Sequence, residues 1–157
     1  MKKTIIVSIF LMQLFVFPCF SESLTGVPVT ITNPQELVKW LSSDFKYRMK
    51  IPDEPQSLQD TLELRTGDCD DFTTLASEVL HKLGIDNKVV IIKLKGLDIY
   101  HALCVWQEED GTYSFIDNKK LRCTKKIKMK EAITKFYPDC ERITISKPSN
   151  KKLAYRR

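Results

Sequence analysis

Residues 67–84, GDCDDFTTLASEVLHKLG, contain the most regular hydrophobic pattern in the chain. Apolar side chains recur there at three- and four-residue steps, which places them on one face of an α-helix: Cys69, Phe72, Ala76, Val79, Leu80 and Leu83. Asp70 and Asp71 fall in the first turn, where negative charge is favoured, and Gly84 is the residue type that commonly ends a helix. The stretch therefore predicts a half-buried helix that begins at Cys69.

Two further helices are predicted upstream of this stretch. Residues 33–36 (Asn-Pro-Gln-Glu) combine an Asn N-cap, a Pro in the first helical position and a Glu at the third, so a helix is expected to run to about Tyr47. Residues 51–55 (Ile-Pro-Asp-Glu-Pro) predict a loop, and Ser57 can cap a second helix that ends at Leu64.

Downstream of Gly84 the hydrophobic pattern changes from helical to extended. A Val-Val-Ile-Ile run typical of a buried strand comes first, and an Asp-Gly turn signal at 110–111 follows. Four strands and one helix are expected, over residues 88–94, 101–106, 113–117 and 142–146 and over residues 130–136. Helices followed by antiparallel strands indicate an α+β domain.

The first 21 residues have the composition of a secretory signal peptide. Lys2 and Lys3 precede an apolar run over residues 5–17, which is short for a membrane span of about 20 residues. Cleavage is expected after Ser21 or Ser23; after Ser21 it would leave residues 22–157 as one domain, which we expect to be exported to the periplasm or secreted.

Two alternatives stay open for this N-terminal segment, an uncleaved membrane anchor and lipidation at Cys19, although the residues before Cys19 match a lipobox poorly. A membrane is an expected partner only in those two cases. Removing Lys2 and Lys3 lowers the net charge from +5 to +3. This mild excess has no aromatic interleaving and no nucleic-acid motif, so nucleic-acid binding is not predicted.

Cys69 is a candidate nucleophile because it begins the predicted helix. A reactive thiol needs an adjacent base and a group that orients the base. The N–H groups at a helix start favour a thiolate, whereas the neighbouring aspartates oppose one, so a cationic histidine is required. His81 lies about 18 Å along the same helix, which leaves His101 as the partner.

The hairpin after His101 can place a carboxylate beside that imidazole. If His101 pairs with Asp117, both side chains project from one face of the sheet, and Leu103 then pairs with Phe115. This register requires an odd-length loop of three or five residues near Gly111. The sequence permits this pairing, whereas a two-residue turn would separate the two side chains.

Three short motifs, in this order, resemble the transglutaminase-like superfamily. Residues 67–72 resemble its nucleophile segment, residues 101–106 (His-Ala-Leu-Cys-Val-Trp) its histidine strand, and residues 110–117 (Asp-Gly-Thr-Tyr-Ser-Phe-Ile-Asp) its aspartate strand. The similarity covers roughly residues 62–121, and the bacterial cysteine peptidases of the superfamily are the most similar type. It implies a papain-like α+β fold, with N-terminal helices packed on an antiparallel sheet.

The resemblance also implies a Cys-His-Asp triad. Cys69 would attack an acyl carbonyl, His101 would transfer the proton, and Asp117 would orient the imidazole. The Cys69 backbone N–H would form half of an oxyanion hole, with the second donor expected upstream. Three residues are candidates for that donor: Gln59, the tentative choice, Gln56 and Trp40.

A catalytic role for Cys69 constrains the other cysteines of the mature chain. Cys69 would stay reduced, although an exported protein meets an oxidising compartment. Cys104 lies mid-strand in an apolar run and is expected to pack as a small hydrophobic residue. Cys123 and Cys140 are then the expected disulfide.

The acidic residues beside Cys69 allow a metal site, although the triad chemistry requires no cofactor. Some periplasmic proteases of this superfamily bind calcium next to the catalytic cysteine, and Asp68, Asp70 and Asp71 are similar to that arrangement. Helix capping is the alternative explanation for these carboxylates.

The expected activity is hydrolysis of an amide bond in an exported protein or cell-envelope substrate by a cysteine peptidase or amidase. One alternative is an acyltransferase that crosslinks protein glutamine to an amine. Another is a catalytically inactive binding module of the same fold. The first two differ only in whether water or an amine attacks the acyl-enzyme, so product analysis separates them.

Overall fold

The computed structural model describes residues 24–49, 56–97 and 99–146. The predicted signal peptide and the predicted loop at 51–55 therefore lie outside the described residues. The elements in chain order are α1 (Pro34–Asp44), β1 (Lys46–Tyr47), α2 (Leu58–Leu64), β2 (Thr66–Gly67), α3 (Cys69–Lys82), β3 (Asn87–Leu94), β4 (Tyr100–Gln107), β5 (Tyr113–Asp117), β6 (Lys120–Lys126), α4 (Met129–Thr134) and β7 (Cys140–Ser146). Within those three ranges, no helix is long and apolar enough to cross a membrane.

The predicted α+β class is confirmed. Five antiparallel strands form one sheet in the order β6-β5-β4-β3-β7, and β1 and β2 form a separate short parallel pair. Helix α1 ends at Asp44, earlier than predicted, because Phe45 is extended and the next two residues pair with β2. Strand β6 was not predicted.

The sheet has an apolar layer on each face. Helices α1, α2 and α3 cover one face, where Phe72, Leu75 and Leu80 are fully buried. Helix α4 covers the other face through Ile133, which packs in one cluster with Phe115. Because side chains alternate along a strand, each residue of β4 and β5 belongs to one of these two layers.

Helix α3 begins where the sequence predicts. Asp68 is its N-cap and forms a reciprocal capping box with Asp71, in which the Asp68 N–H donates to Asp71 Oδ2 at 3.0 Å. The helix ends before Gly84, whose φ of 77° lies in the left-handed region that glycine adopts without strain. The capping box fixes the helix start, and with it the position of Cys69.

The register of the β4–β5 hairpin differs from the predicted one. Val105 pairs with Phe115 and Gln107 with Tyr113, so the predicted pairing of His101 with Asp117 is wrong by two residues. The loop over residues 108–112 has five residues, an odd length as expected. A shift of two residues preserves the face, because side chains alternate with a period of two.

The predicted disulfide between Cys123 and Cys140 is wrong for this fold. Cys123 lies on β6 and Cys140 on β7, the two opposite edges of the sheet, with three strands between them. At a strand spacing of about 4.8 Å the two edges are roughly 19 Å apart, whereas a disulfide needs Cα atoms within about 7 Å. Cys69 and Cys104 are also free thiols.

Candidate active site

Cys69 lies at the junction between helix α3 and the sheet. Its half-buried side chain packs against Val89 and Ile91 of β3 and Ala102 of β4. Because Cys69 is the first residue of α3, its peptide N–H is among the first-turn donors that have no acceptor within the helix. The sulfur therefore lies at the positive end of the helix dipole and beside Ala102, the residue that follows His101 in β4.

His101 and Asp117 form a direct side-chain pair at the open end of β4 and β5. His101 Nε2 lies 2.9 Å from Asp117 Oδ1, and the exposed fractions of the two side chains are 16% and 11%. A partly desolvated, charge-assisted bond of this length is among the stronger hydrogen bonds in proteins. Nε2 therefore carries a proton that it donates to the carboxylate, and Nδ1 faces away from Asp117.

The second group that acts on His101 is Cys69, whose side chain lies near enough to the imidazole to help raise its pKa. With Nε2 bonded to Asp117, Nδ1 is the ring nitrogen left for the sulfur. Burial alone would lower the pKa of His101, but the hydrogen bonds and negative charges of Asp117 and Cys69 outweigh it and raise that pKa from 6.5 to about 9. The imidazole is therefore protonated at neutral pH.

Two residues that sequence reasoning missed also contact Asp117. The Tyr137 hydroxyl lies near enough to the carboxylate to stabilise its ionised form, and Arg122 Nη2 lies 3.5 Å from Asp117 Oδ2. Burial opposes ionisation of Asp117, but the bonds from His101 and Tyr137 and the charges of His101 and Arg122 lower its pKa below 3.8. Asn118, with a positive φ of 52°, turns the chain between β5 and β6, and the resulting pairing places Arg122 opposite Phe115. No sequence signal identifies Arg122 or Tyr137.

The upstream oxyanion candidates have different surroundings. Gln59 is on the exposed face of α2 and its amide donates to Glu63 at 2.8 Å, so the tentative choice of Gln59 is not supported. The Gln56 amide donates to Thr61 Oγ1 and to the Thr66 carbonyl. Of the three candidates, only Trp40 has a buried side-chain N–H without a hydrogen-bond acceptor in the described part of the chain.

The three aspartates beside Cys69 fit a cation in donor type and spacing. One carboxylate oxygen from each of Asp68, Asp70 and Asp71 lies within 4.8 Å of the others, and calcium prefers such hard oxygen ligands. Both oxygens of Asp71 also accept backbone N–H groups, from Asp68 at 3.0 Å and from Gln56 at 3.2 Å. Helix capping thus explains the burial of Asp71 without an ion.

Comparison with known families identifies the class of this chain. A family described as "Transglutaminase-like domain" matches residues 21–141, a range that includes Cys69, His101 and Asp117. The chain therefore belongs to this family, whose superfamily consists of thiol-dependent acyltransferases and peptidases. Comparison with curated proteins gives no match.

Proposed function

We propose that this protein is a cysteine peptidase or amidase that hydrolyses an amide bond in an exported protein or cell-envelope substrate. The observation that carries the proposal is that the His101 imidazole is bonded to Asp117 and lies near Cys69. Asp117 Oδ1 lies 2.9 Å from one ring nitrogen, and the Cys69 side chain is close enough to the ring to help raise its pKa. A nucleophile, a base and an orienting carboxylate in series are the parts that thiol acyl transfer needs.

In the proposed acylation step the Cys69 sulfur attacks the carbonyl carbon of the amide. His101 is the group that takes up the thiol proton as the sulfur attacks. The carbonyl oxygen becomes an oxyanion near the start of α3, where the Cys69 peptide N–H is available as a donor. His101 then gives its proton to the leaving nitrogen, the C–N bond breaks, and a thioester is left on Cys69.

In the proposed deacylation step His101 takes a proton from water, and the resulting hydroxide attacks the thioester carbonyl. The C–S bond breaks, a carboxylic acid leaves, and Cys69 is restored. An amine in place of water would give a new amide, so glutamine-to-amine transfer is the alternative activity. Asp117 supports both routes, because its bond to Nε2 turns the other ring nitrogen toward the sulfur.

Alkylation by iodoacetamide tests the assignment of Cys69, and the chain contains its own controls. Cys123 is an exposed thiol on β6 and Cys104 is fully buried. We expect Cys69 to react at pH 6 at least tenfold faster than Cys123, and the variant His101→Gln to lose this advantage. Equal rates at Cys69 and Cys123, unchanged by His101→Gln, would contradict the proposal.

Product analysis separates hydrolysis, transfer and an inactive module. Casein incubated with the protein and a dansyl-labelled primary amine should yield new peptide termini, or glutamate in place of glutamine, if water is the acceptor. Dansyl label on glutamine side chains would indicate transfer instead. A folded Cys69→Ala variant is the control for both products. If wild type and this variant both give no product on casein or on an envelope extract, the binding-module alternative gains support.

Export and calcium binding remain proposals of their own. Periplasmic fractionation of the full chain in a bacterial host, followed by intact-mass measurement, should reveal a mature protein that begins at Glu22; a retained N-terminus would favour a membrane anchor. For calcium, calorimetry on chelator-treated protein is compared with Asp70→Asn, which leaves the Asp68–Asp71 capping box in place. No heat at millimolar calcium would exclude the site.

A further inference from the structure

Tyr137 lies in the same layer as His101 and Asp117, although it comes from a different part of the chain. Its hydroxyl acts on the Asp117 carboxylate and helps to lower the pKa of that group. Its ring lies against the His101 imidazole, with ring centroids 5.7 Å apart and planes tilted by 50°. One side chain thus lies beside both members of the histidine–carboxylate pair.

The backbone around Tyr137 is fixed by the buried end of α4. The Tyr137 N–H donates to the carbonyl of Ile133 at 2.9 Å, and Ile133 is fully buried. The Tyr137 carbonyl accepts from the Cys140 N–H at 3.1 Å, where β7 begins. Because both bonds tie Tyr137 to packed elements, the position of its ring is set by the fold.

The residue before Tyr137 organises the other partner of Asp117. Phe136 packs edge-to-face against Phe115 of β5, with centroids 5.6 Å apart. The guanidinium of Arg122 lies over the Phe136 ring at 5.0 Å while its Nη2 reaches Asp117 at 3.5 Å. Phe136 and Tyr137, which follow α4, therefore bring two groups to the Asp117 carboxylate. Phe136 supports the Arg122 guanidinium, and Tyr137 supplies its own hydroxyl.

We propose that Tyr137 is a positioning residue: its hydroxyl fixes the Asp117 carboxylate and its ring confines the His101 imidazole, so that the second ring nitrogen points at Cys69. Without the Tyr137 hydroxyl the carboxylate would keep its bond to His101 and the longer 3.5 Å contact with Arg122, and it could rotate further about its terminal torsion, taking the imidazole with it. Burial and the charge of Asp117 raise the pKa of Tyr137, so the phenol stays a protonated donor. This inference rests on the proposed function for its catalytic meaning, but its geometry can be tested separately.

The substitution Tyr137→Phe removes the hydroxyl and keeps the ring, and Tyr113→Phe is the matched control. Tyr113 is half-buried in the same apolar layer and loses an identical group. The readouts are carboxyl-carbon NMR titration of Asp117 and the iodoacetamide rate of Cys69 at pH 7. In Tyr137→Phe we expect the Asp117 midpoint to rise by half a pH unit or more and the Cys69 rate to fall three- to tenfold. Tyr113→Phe should change neither quantity.

An unchanged Asp117 midpoint in a folded Tyr137→Phe variant would overturn the inference. If that variant does not fold, wild type is decisive: a slowly exchanging Tyr137 hydroxyl proton with a cross-relaxation peak to the His101 ring supports the inference, and its absence overturns it. The outcome for the proposed function is separate. If His101→Gln leaves Cys69 alkylation unchanged while the Asp117 midpoint still moves in Tyr137→Phe, the proposed function fails and the positioning geometry stands.

Discussion

Asp117 lies two residues out of register with His101 across the β4–β5 hairpin, yet its Oδ1 atom is 2.9 Å from Nε2 of that histidine. The pairing of Val105 with Phe115 places Asp117 opposite Leu103 when the ladder is extended. His101 is therefore a diagonal neighbour on the same face, and diagonal neighbours are within reach of long or aromatic side chains. The imidazole spans this diagonal to reach the Asp117 carboxylate.

The first prediction is that Asp117→Asn lowers the pKa of His101 from about 9 toward its ordinary 6.5. The amide keeps an oxygen that can accept from Nε2, but it removes the negative charge that stabilises the imidazolium. NMR titration of the two imidazoles measures the effect, with exposed His81 as internal reference. Asp110→Asn, the same charge change in the exposed hairpin loop, should leave His101 unaltered. Substrate turnover should fall by about 10²–10⁴ in Asp117→Asn only.

The second prediction concerns the dependence of stability on pH. The folded-state pKa of His101 is raised above 6.5, so the stabilisation from its protonation is complete below about pH 6.5 and is lost as the pH rises through 9. A shift of this size corresponds to roughly 3 kcal/mol. The difference in free energy of unfolding between wild type and His101→Gln should thus shrink from pH 6 to pH 9.5 in urea titrations. A difference that is flat, or grows with pH, would contradict it.

Local patterns predicted much of the framework from the sequence. The bounds of α3 follow from one amphipathic face, an acidic first turn and Gly84, all of which act within a few residues. The shared face of His101 and Asp117 was predictable because parity along a strand survives any even shift in register. The register itself was not predictable, because the turn signal at Gly111 allows several odd loop lengths and the five-residue loop is only one of them.

Contacts between distant elements were not predictable in the same way. Counting cysteines suggested that Cys123 pairs with Cys140, but the count contains no information on strand order, and the two strands lie at opposite edges of the sheet. Tyr137 reaches Asp117 only because α4 folds over the far face of the sheet. No spacing relates these two residues in the sequence, so the fold must be known before their contact can be found.

The third prediction is that Asn87→Ala destabilises the protein by about 2–4 kcal/mol, because it leaves several buried polar groups without partners. Ser77 Oγ donates to Asn87 Oδ1 at 2.6 Å, and Asn87 Nδ2 donates to the carbonyls of Ser77 and Ile85, both at 3.1 Å. These bonds tie α3 to the start of β3. Urea unfolding measures the loss.

A double-mutant cycle with Ser77→Ala controls the Asn87 prediction. Ser77→Ala alone removes one bond and should cost less than Asn87→Ala, because Asn87 Oδ1 still accepts from Cys104 Sγ at 3.5 Å. The double variant should cost less than the sum of the two single variants, since the groups share one network. Strict additivity would show that the network does not act as a unit.

The last prediction is that Gly67→Ala displaces Cys69 indirectly, through Asp71. A Cβ atom at Gly67 would lie 2.7 Å from Asp71 Cβ and 3.0 Å from Asp71 Oδ2, the oxygen that accepts from the Asp68 N–H. Asp71 Cβ is rigidly attached to the helix, so the first turn of α3 must shift and the capping box must loosen. We expect a loss of stability of about 1–3 kcal/mol and at least a fivefold slower alkylation of Cys69.

Gly96→Ala separates this displacement from the general cost of replacing a glycine. Gly96 has a φ of 73° and nothing within 4 Å of a built Cβ, so its substitution adds backbone strain of about 1 kcal/mol and no collision. It lies between β3 and β4, away from the capping box. If Gly96→Ala and Gly67→Ala lose similar stability but only Gly67→Ala slows Cys69, the rate depends on the position of the helix start. If alkylation of Cys69 slows equally in both variants, the cause would be a general loosening of the fold. The close packing of Gly67 on Asp71 would then have no role in presenting the sulfur to His101.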